Sequence, residues 1–203
     1  MAAEFGAGPW GRSWLRTLQS PTAAPDRRLP KARSLARNNA VTIATIGPGL
    51  IEAESSTGDV FHHVRIQLPC WADQVLADAT ALIDNALAEA AGGLAPGDLP
   101  DELAPVLSRR VGLAVPLDQL TTHCTCSERR TPCLHILATL YTLTQRVDEH
   151  PKTAIELRMP NPSPGLGHQL PPDWIALADL DPAIFYIGRS VQSTALSRNR
   201  WWR

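Results

Sequence analysis

Long apolar runs are missing from this chain. No stretch approaches the ~18 consecutive apolar residues that would span a membrane. The start, Met1-Ala2-Ala3-Glu4-Phe5-Gly6, has neither the charged opening nor the apolar run of a signal peptide. A cytoplasmic protein without a membrane partner is therefore expected. Net charge is scarce as well: 19 Lys and Arg against 20 Asp and Glu leave −1. The whole chain is no polycation, so any affinity for nucleic acid rests on local patches. Four cysteines in 203 residues are too few for a disulfide scaffold. Catalytic signatures are absent too: there is no G-x-S-x-G, no phosphate-binding loop and no metal site with an open position. Lacking a Walker-type motif, the chain drives no motor alone, and the expectation is a non-enzyme.

What is present supports a folded domain with appendages: 44% of the residues are apolar. Residues 1–40 form a basic helical segment. Arg12, Arg16, Arg27, Arg28, Lys31, Arg33 and Arg37 face only Glu4 and Asp26, a local net charge of +5. Gly8-Pro9-Trp10-Gly11 reads as a turn before a short helix, Arg12 to Gln19, and a second helix runs from about Arg27 to Arg37. Residues 41–118 hold a small antiparallel sheet and an acidic helix. The strands are Val41 to Ile46, Leu50 to Glu54 and Val60 to Leu68, with turns at Gly47-Pro48-Gly49 and Ser55 to Asp59. In the third, Val64, Ile66 and Leu68 share one face. Trp71 to Ala91 has helical spacing, and its acids Asp73, Asp78, Asp84 and Glu89 read as a wet face, not a nuclease cluster. A short helix ends near Arg109, and Gly112 to Leu117 reads as extended.

The cysteines that matter lie close together. Cys124, Cys126, Cys133 and His135 form Cys-x-Cys-x6-Cys-x-His. Cysteines two apart in an extended segment present both thiols to one side. Cys133-Leu134-His135 repeats that grip at the start of a helix reaching about Val147. Between the pairs, Ser127-Glu128-Arg129-Arg130-Thr131-Pro132 is polar and turn-forming, as a joining loop should be. Zinc binds thiolate and imidazole tetrahedrally, and a site with four protein ligands leaves no position for water. One structural zinc ion at residues 119–150 is the expectation. His123, beside Cys124, is a competing ligand; three buried cysteines without a metal is the other alternative.

This pattern running into a helix resembles the SWIM zinc finger. His123-Cys124-Thr125-Cys126 and Pro132-Cys133-Leu134-His135-Ile136-Leu137-Ala138 look like its two halves in bacterial members. Upstream, Phe5-Gly6 with Pro9-Trp10-Gly11-Arg12-Ser13-Trp14 is similar to their N-terminal signature. Arg33 with Leu35-Ala36-Arg37, Val41, and Ile46 to Ala53 is similar to their basic helix and first hairpin. The resemblance covers about residues 5–158. It implies a DNA-binding or protein-interaction module, without enzymatic activity, of the kind that accompanies Swi/Snf-type helicase-like ATPases. Leu134 stands where those modules usually carry a lysine, which removes a phosphate-contacting charge.

Residues 151–203 read as a proline-rich arm with little helix. Seven prolines fall between 151 and 182, and the end carries Arg189, Arg198, Arg200 and Arg203 around Trp201-Trp202. The fold expectation is α+β: a small antiparallel sheet, flanking helices, the zinc finger and this extended arm. Arg12, Arg16, Arg33, Arg37, Arg129 and Arg130 are the candidate nucleic-acid contacts, DNA rather than RNA, and Trp201 and Trp202 the candidate partner-binding pair. Trp10 and Trp14, spaced i, i+4, read as core; His62 and His63 as sheet-surface histidines; Cys70 as a buried thiol. Two functions follow. One is a nucleic-acid-binding accessory subunit of a bacterial nucleoprotein or helicase-associated complex. The other is a protein-interaction adaptor in such a complex, for example a defence effector, with no nucleic-acid contact.

Overall fold

The computed structural model describes residues 5–18, 26–90, 94 and 98–160. All belong to the first of two compact units, Met1–Asn161; the second is Pro162–Arg203. Trp201, Trp202 and the predicted arm from residue 161 onward lie outside the described residues.

Runs rich in β-branched residues build one antiparallel sheet: β1 (Val41–Gly47), β2 (Leu50–Thr57), β3 (Val60–Gln67) and β4 (Thr121–Cys124). The strands lie in the order β1-β2-β3-β4. Alternation sets the two faces. In β3, Val64 and Ile66 are buried, while Phe61, His63, Arg65 and Gln67 are exposed. Pro48-Gly49 closes the first hairpin. Gly49 takes a φ of +65°, and a Cβ there would sit 2.8 Å from the Leu68 carbonyl oxygen, so both backbone and space require glycine. The second hairpin is tighter than the sequence reading. Ser55, Ser56 and Thr57 are strand, not turn, paired with His62, Phe61 and Val60. Gly58, at φ +62°, lets two residues turn the chain, and Ser55 is wholly buried.

Among the described residues there are six helices: α1 (Pro9–Leu18), α2 (Leu29–Arg37), α3 (Asp73–Glu89), α4 (Leu103–Arg110), α5 (Leu134–Glu149) and α6 (Lys152–Arg158). The architecture is thus α+β. None of these helices is long and apolar enough to cross a membrane. The organising element is α5. It buries residues on nearly every side, among them Ile136, Leu137, Leu140, Tyr141, Leu143 and Val147. α1, α2 and the sheet all pack on it. α3 is only half-buried along its apolar stripe, with Ala79 its one fully buried residue, and it packs on α4.

Three further expectations about the course of the chain are corrected. α1 starts at Pro9, three residues before the predicted Arg12. Proline suits a first helical turn, where its missing N–H costs nothing, and the Asp148 carboxylate accepts the Gly11 N–H at 2.7 Å. Burial pushes the Asp148 carboxyl up from its ordinary value, opposed by N–H groups of Gly11, Gly8 and Ala7. Trp10 and Trp14 are buried as their spacing implied. Second, Gly112 to Leu117 is no strand. Gly112 bends the chain at φ +65°, Leu113 and Val115 insert into the core, and a 3-10 turn follows at Leu117–Gln119. Third, residues 152–158 are helix rather than arm. Pro151 precedes the helix, and Ala154 and Leu157 are wholly buried, so the folded body runs to residue 160. Cys70 is half-buried, less enclosed than expected.

Candidate metal centre

β4 and α5 deliver the four ligands. Cys124 lies opposite Val64 and His123 opposite Arg65. Opposed residues share a face, so Cys124 turns inward and His123 outward to solvent. Thr125 is pinned across from His63 by two hydrogen bonds: its N–H donates to the His63 carbonyl at 3.1 Å, and its hydroxyl accepts the His63 N–H at 3.0 Å. Cys126, two residues past Cys124, therefore returns to the same side. Cys133 is the residue capping α5 and His135 sits in the first turn. The ligand atoms of Cys124, Cys126, Cys133 and His135 all lie within 4.8 Å of one another. His123 is not among them.

The donor set and spacing fit zinc. Tetrahedral zinc with ordinary Zn–S and Zn–N bonds spaces its ligand atoms about 3.6–3.8 Å apart. Cys124 Sγ and His135 Nδ1 stand 3.8 Å apart. The other imidazole nitrogen is engaged as well: His135 Nε2 is 3.1 Å from Thr57 Oγ1. With Nδ1 turned to the metal, Nε2 carries the proton and donates it to the Thr57 hydroxyl. His62, on β3, lies with its ring centroid 4.2 Å from that of His135. The tip of the β2–β3 hairpin thus orients the histidine. Such outer contacts fix ring orientation and tautomer, and their loss costs about 10–100-fold in metal affinity. Thr57→Val should weaken zinc binding by about tenfold, read by competition with a chromophoric chelator. Thr57 is exposed, so the fold should survive. An unchanged affinity would remove Thr57 from the site.

A second set of contacts braces the finger loop. Glu128 accepts the Leu134 N–H at 2.9 Å, placing a carboxylate on the positive end of α5. Arg28, just before α2, donates from Nη1 to the Pro132 carbonyl and stands 3.7 Å from Glu128. It also pairs with Asp26 at 2.7 Å, which holds the Asp26 carboxyl below the usual range.

Burial decides the protonation chemistry. It pushes the Cys124 thiol up to about 12 and the Cys133 thiol upward too, so both carry protons at neutral pH until a metal replaces them. Burial, with His62 nearby, lowers His135 below the ordinary imidazole value, so it enters neutral. Zinc binding at pH 7 should therefore release at least two protons, those of Cys124 and Cys133. Calorimetry in buffers of differing ionisation enthalpy counts them. A count of four would mean that His135 enters charged. Proton competition also sets the direction of pH dependence: zinc is held at neutral pH and lost as pH falls.

The predicted cations separate into groups. Arg129 and Arg130 are exposed on the finger loop. Arg33 is half-buried, its guanidinium 5.3 Å from the Tyr141 ring centroid, and Arg37 lies 6.0 Å from that of Phe5. Both arginines of α2 thus lie over an aromatic pair whose own centroids are 5.3 Å apart. Arg12 and Arg16 are exposed on α1, and Arg12 donates to the Ala7 carbonyl at 2.8 Å. Sequence reasoning did not single out Thr57, Arg28 or Glu128. The first two join the centre through contacts 78 and 104 residues away in the chain, and nothing local signals that.

Residues 110–143 match the SWIM zinc finger family model. Together with the Cys/Cys/Cys/His cluster, this makes the segment a SWIM zinc finger that fits one structural zinc ion. The chain is also similar to the uncharacterized protein Rv2102 of Mycobacterium tuberculosis. They are 29% identical over 152 residues, 70% of this chain and 51% of the relative. The chain thus spans about half the length of that relative. No solved structure matches it.

Proposed function

We propose that this is a non-catalytic, zinc-dependent nucleic-acid-binding accessory subunit of a bacterial nucleoprotein or helicase-associated assembly. The observation that carries the reading is the basic rim around the metal. Arg129 and Arg130 stand exposed on a loop braced by zinc, and Arg28 ties that loop to the start of α2. The start of α2 adds the exposed cations Arg27 and Lys31, and Lys31 is near enough to lower His135 electrostatically. Cations on a rigid frame suit phosphate binding, which is independent of sequence and steeply weakened by salt. The zinc orders the frame and performs no chemistry in this role.

Fluorescence anisotropy with labelled duplex DNA across a salt series tests it. The logarithm of the affinity should fall linearly with the logarithm of salt concentration. Replacing Arg129 and Arg130 by alanine should flatten that slope by about 1.8, from two lost phosphate contacts. No binding at low salt to DNA or RNA would end this reading. A second reading, a protein adaptor without nucleic-acid contact, is favoured by Leu134, which packs half-buried against the core where SWIM modules usually carry a lysine.

A further inference from the structure

The sheet has two edges, and they are treated differently. β4 is four residues long and runs straight into the metal loop, where Thr125 still pairs with His63. β1 is seven residues long, Val-Thr-Ile-Ala-Thr-Ile-Gly, with no charge and no proline. Exposed edge strands are commonly blunted by charge or proline, because their unpaired backbone groups invite another strand. The one interruption in β1 is a bulge between Ile43 and Thr45.

Its pairing shows which groups are free. The Ser56 N–H donates to the Ala40 carbonyl at 2.7 Å, so Ala40 and Ser56 are a hydrogen-bonded pair. Antiparallel pairs alternate. Thr42, opposite Glu54, therefore aims its backbone groups at β2, while Val41 and Ile43 aim theirs outward. Past the bulge, Gly47 and Leu50 close the hairpin, so Ile46 again faces outward. These outward groups meet a groove of about 540 Å³. Its far wall is the last two turns of α5 and the start of α6, with Thr142, Arg146, Glu149 and Glu156. The side chains of Ile43 and Ile46 are only half-buried beside it.

We propose that this groove takes an extended peptide segment of a partner protein, which joins the sheet beside β1 as a fifth strand. Backbone pairing supplies the affinity in this mode, and alternate side chains supply selectivity. Two wall charges define the occupant further. Arg146 is exposed and forms no ion pair among the described residues. Among the described residues, the partner of Glu149 is the neutral Gln145 amide, at 2.9 Å. Glu156 is already paired with Lys152 at 3.2 Å. Arg146 and Glu149 are about 4.5 Å apart along the helix axis, and alternate residues of a strand about 6.6 Å. The segment that fits is β-branched, with an acidic residue toward Arg146 and a basic one two positions away toward Glu149. The ligands Cys133 and His135 sit at the opposite end of α5, about 16–24 Å along its axis from these residues, so the groove is separate from the basic rim.

Linear peptides displayed on phage, selected against the zinc-loaded full chain, supply the probe. Enriched peptides should carry the β-branched, acid-and-base pattern. When bound, they should slow hydrogen exchange of the Val41, Ile43 and Ile46 amides at least tenfold, because those N–H groups gain acceptors. Docking through side chains alone would not. Arg146→Glu, at an exposed site, should weaken binding about tenfold. Ala44→Lys, also exposed, should abolish it by placing a charge on the edge. Both variants should keep one zinc per chain and an unchanged Tm. The proposal is overturned if selection enriches no peptide, if bound peptides leave those three amides unprotected, or if both variants bind like the parent. It is equally overturned if a DNA oligonucleotide, not a peptide, protects those amides.

Discussion

Replacing Cys133 by serine should remove the zinc and unfold the stretch from β4 through α5. Cys133 is 2% exposed and plays two parts: it is a metal ligand and the residue from which α5 departs. Serine suits a helix start at least as well but is a poor zinc ligand, so the substitution isolates the metal's contribution. Structural zinc in small fingers supplies about 10–16 kcal/mol, while a domain's whole stability is about 5–15 kcal/mol. Even a fraction of that loss is decisive for a helix that touches α1, α2 and the sheet. Metal analysis should fall from one zinc per chain to nearly none. Far-UV circular dichroism should lose helix well beyond the 16 residues of α5. Cys70→Ser is the control, because Cys70 stands outside the ligand cluster and should leave zinc unchanged. A serine variant at 133 that keeps a full equivalent of zinc would sink the ligand assignment.

The second large effect comes from a residue with no side chain. Gly11→Ala should destabilise the folded unit by about 2–3 kcal/mol. Gly11 is helical, so alanine would gain about 1 kcal/mol of helix propensity. Space decides the sign against it. A Cβ at Gly11 would lie 2.3 Å from Asp148 Oδ2 and 2.6 Å from the Thr144 backbone oxygen. The Thr144 oxygen is held by α5 itself and cannot rotate away. α1 would have to lift from α5, breaking the seat in which Asp148 accepts the Gly11 N–H. A loss of this size lowers Tm by roughly 5–10 °C for a unit of this length. Gly47→Ala is the comparison: a Cβ there meets nothing within 4 Å, and Tm should barely move. Equal effects in the two variants would refute the steric account.

These two sites also mark what can be read from sequence. The four zinc ligands fall within twelve residues, so spacing alone assembles them. Three of the four strands declare themselves through β-branched alternation, and α3 and α5 through helical period; β4, only four residues long, does not. Local signals failed where one residue type serves two purposes. Gly8-Pro9-Trp10-Gly11 looks like a turn, yet its proline opens α1 and its glycine permits contact with α5. Pro151 looks like the start of an arm, yet it leads into α6, whose register depends on burial of Ala154 and Leu157. The contacts that complete the site, Thr57 to His135 and Arg28 to Pro132, are made across the fold, and no window along the chain contains both partners.

The seat of α1 on Asp148 has a consequence for how the protein is made. The hydrogen bond from Gly11 to Asp148 spans 137 residues. At about 5–20 residues per second, the ribosome delivers the receiving helix on the order of ten seconds after the first. During that interval Trp10 and Trp14 have no α5 to bury them. α1 is therefore among the last elements to settle, and the burial of Trp10 and Trp14 waits on the emergence of α5.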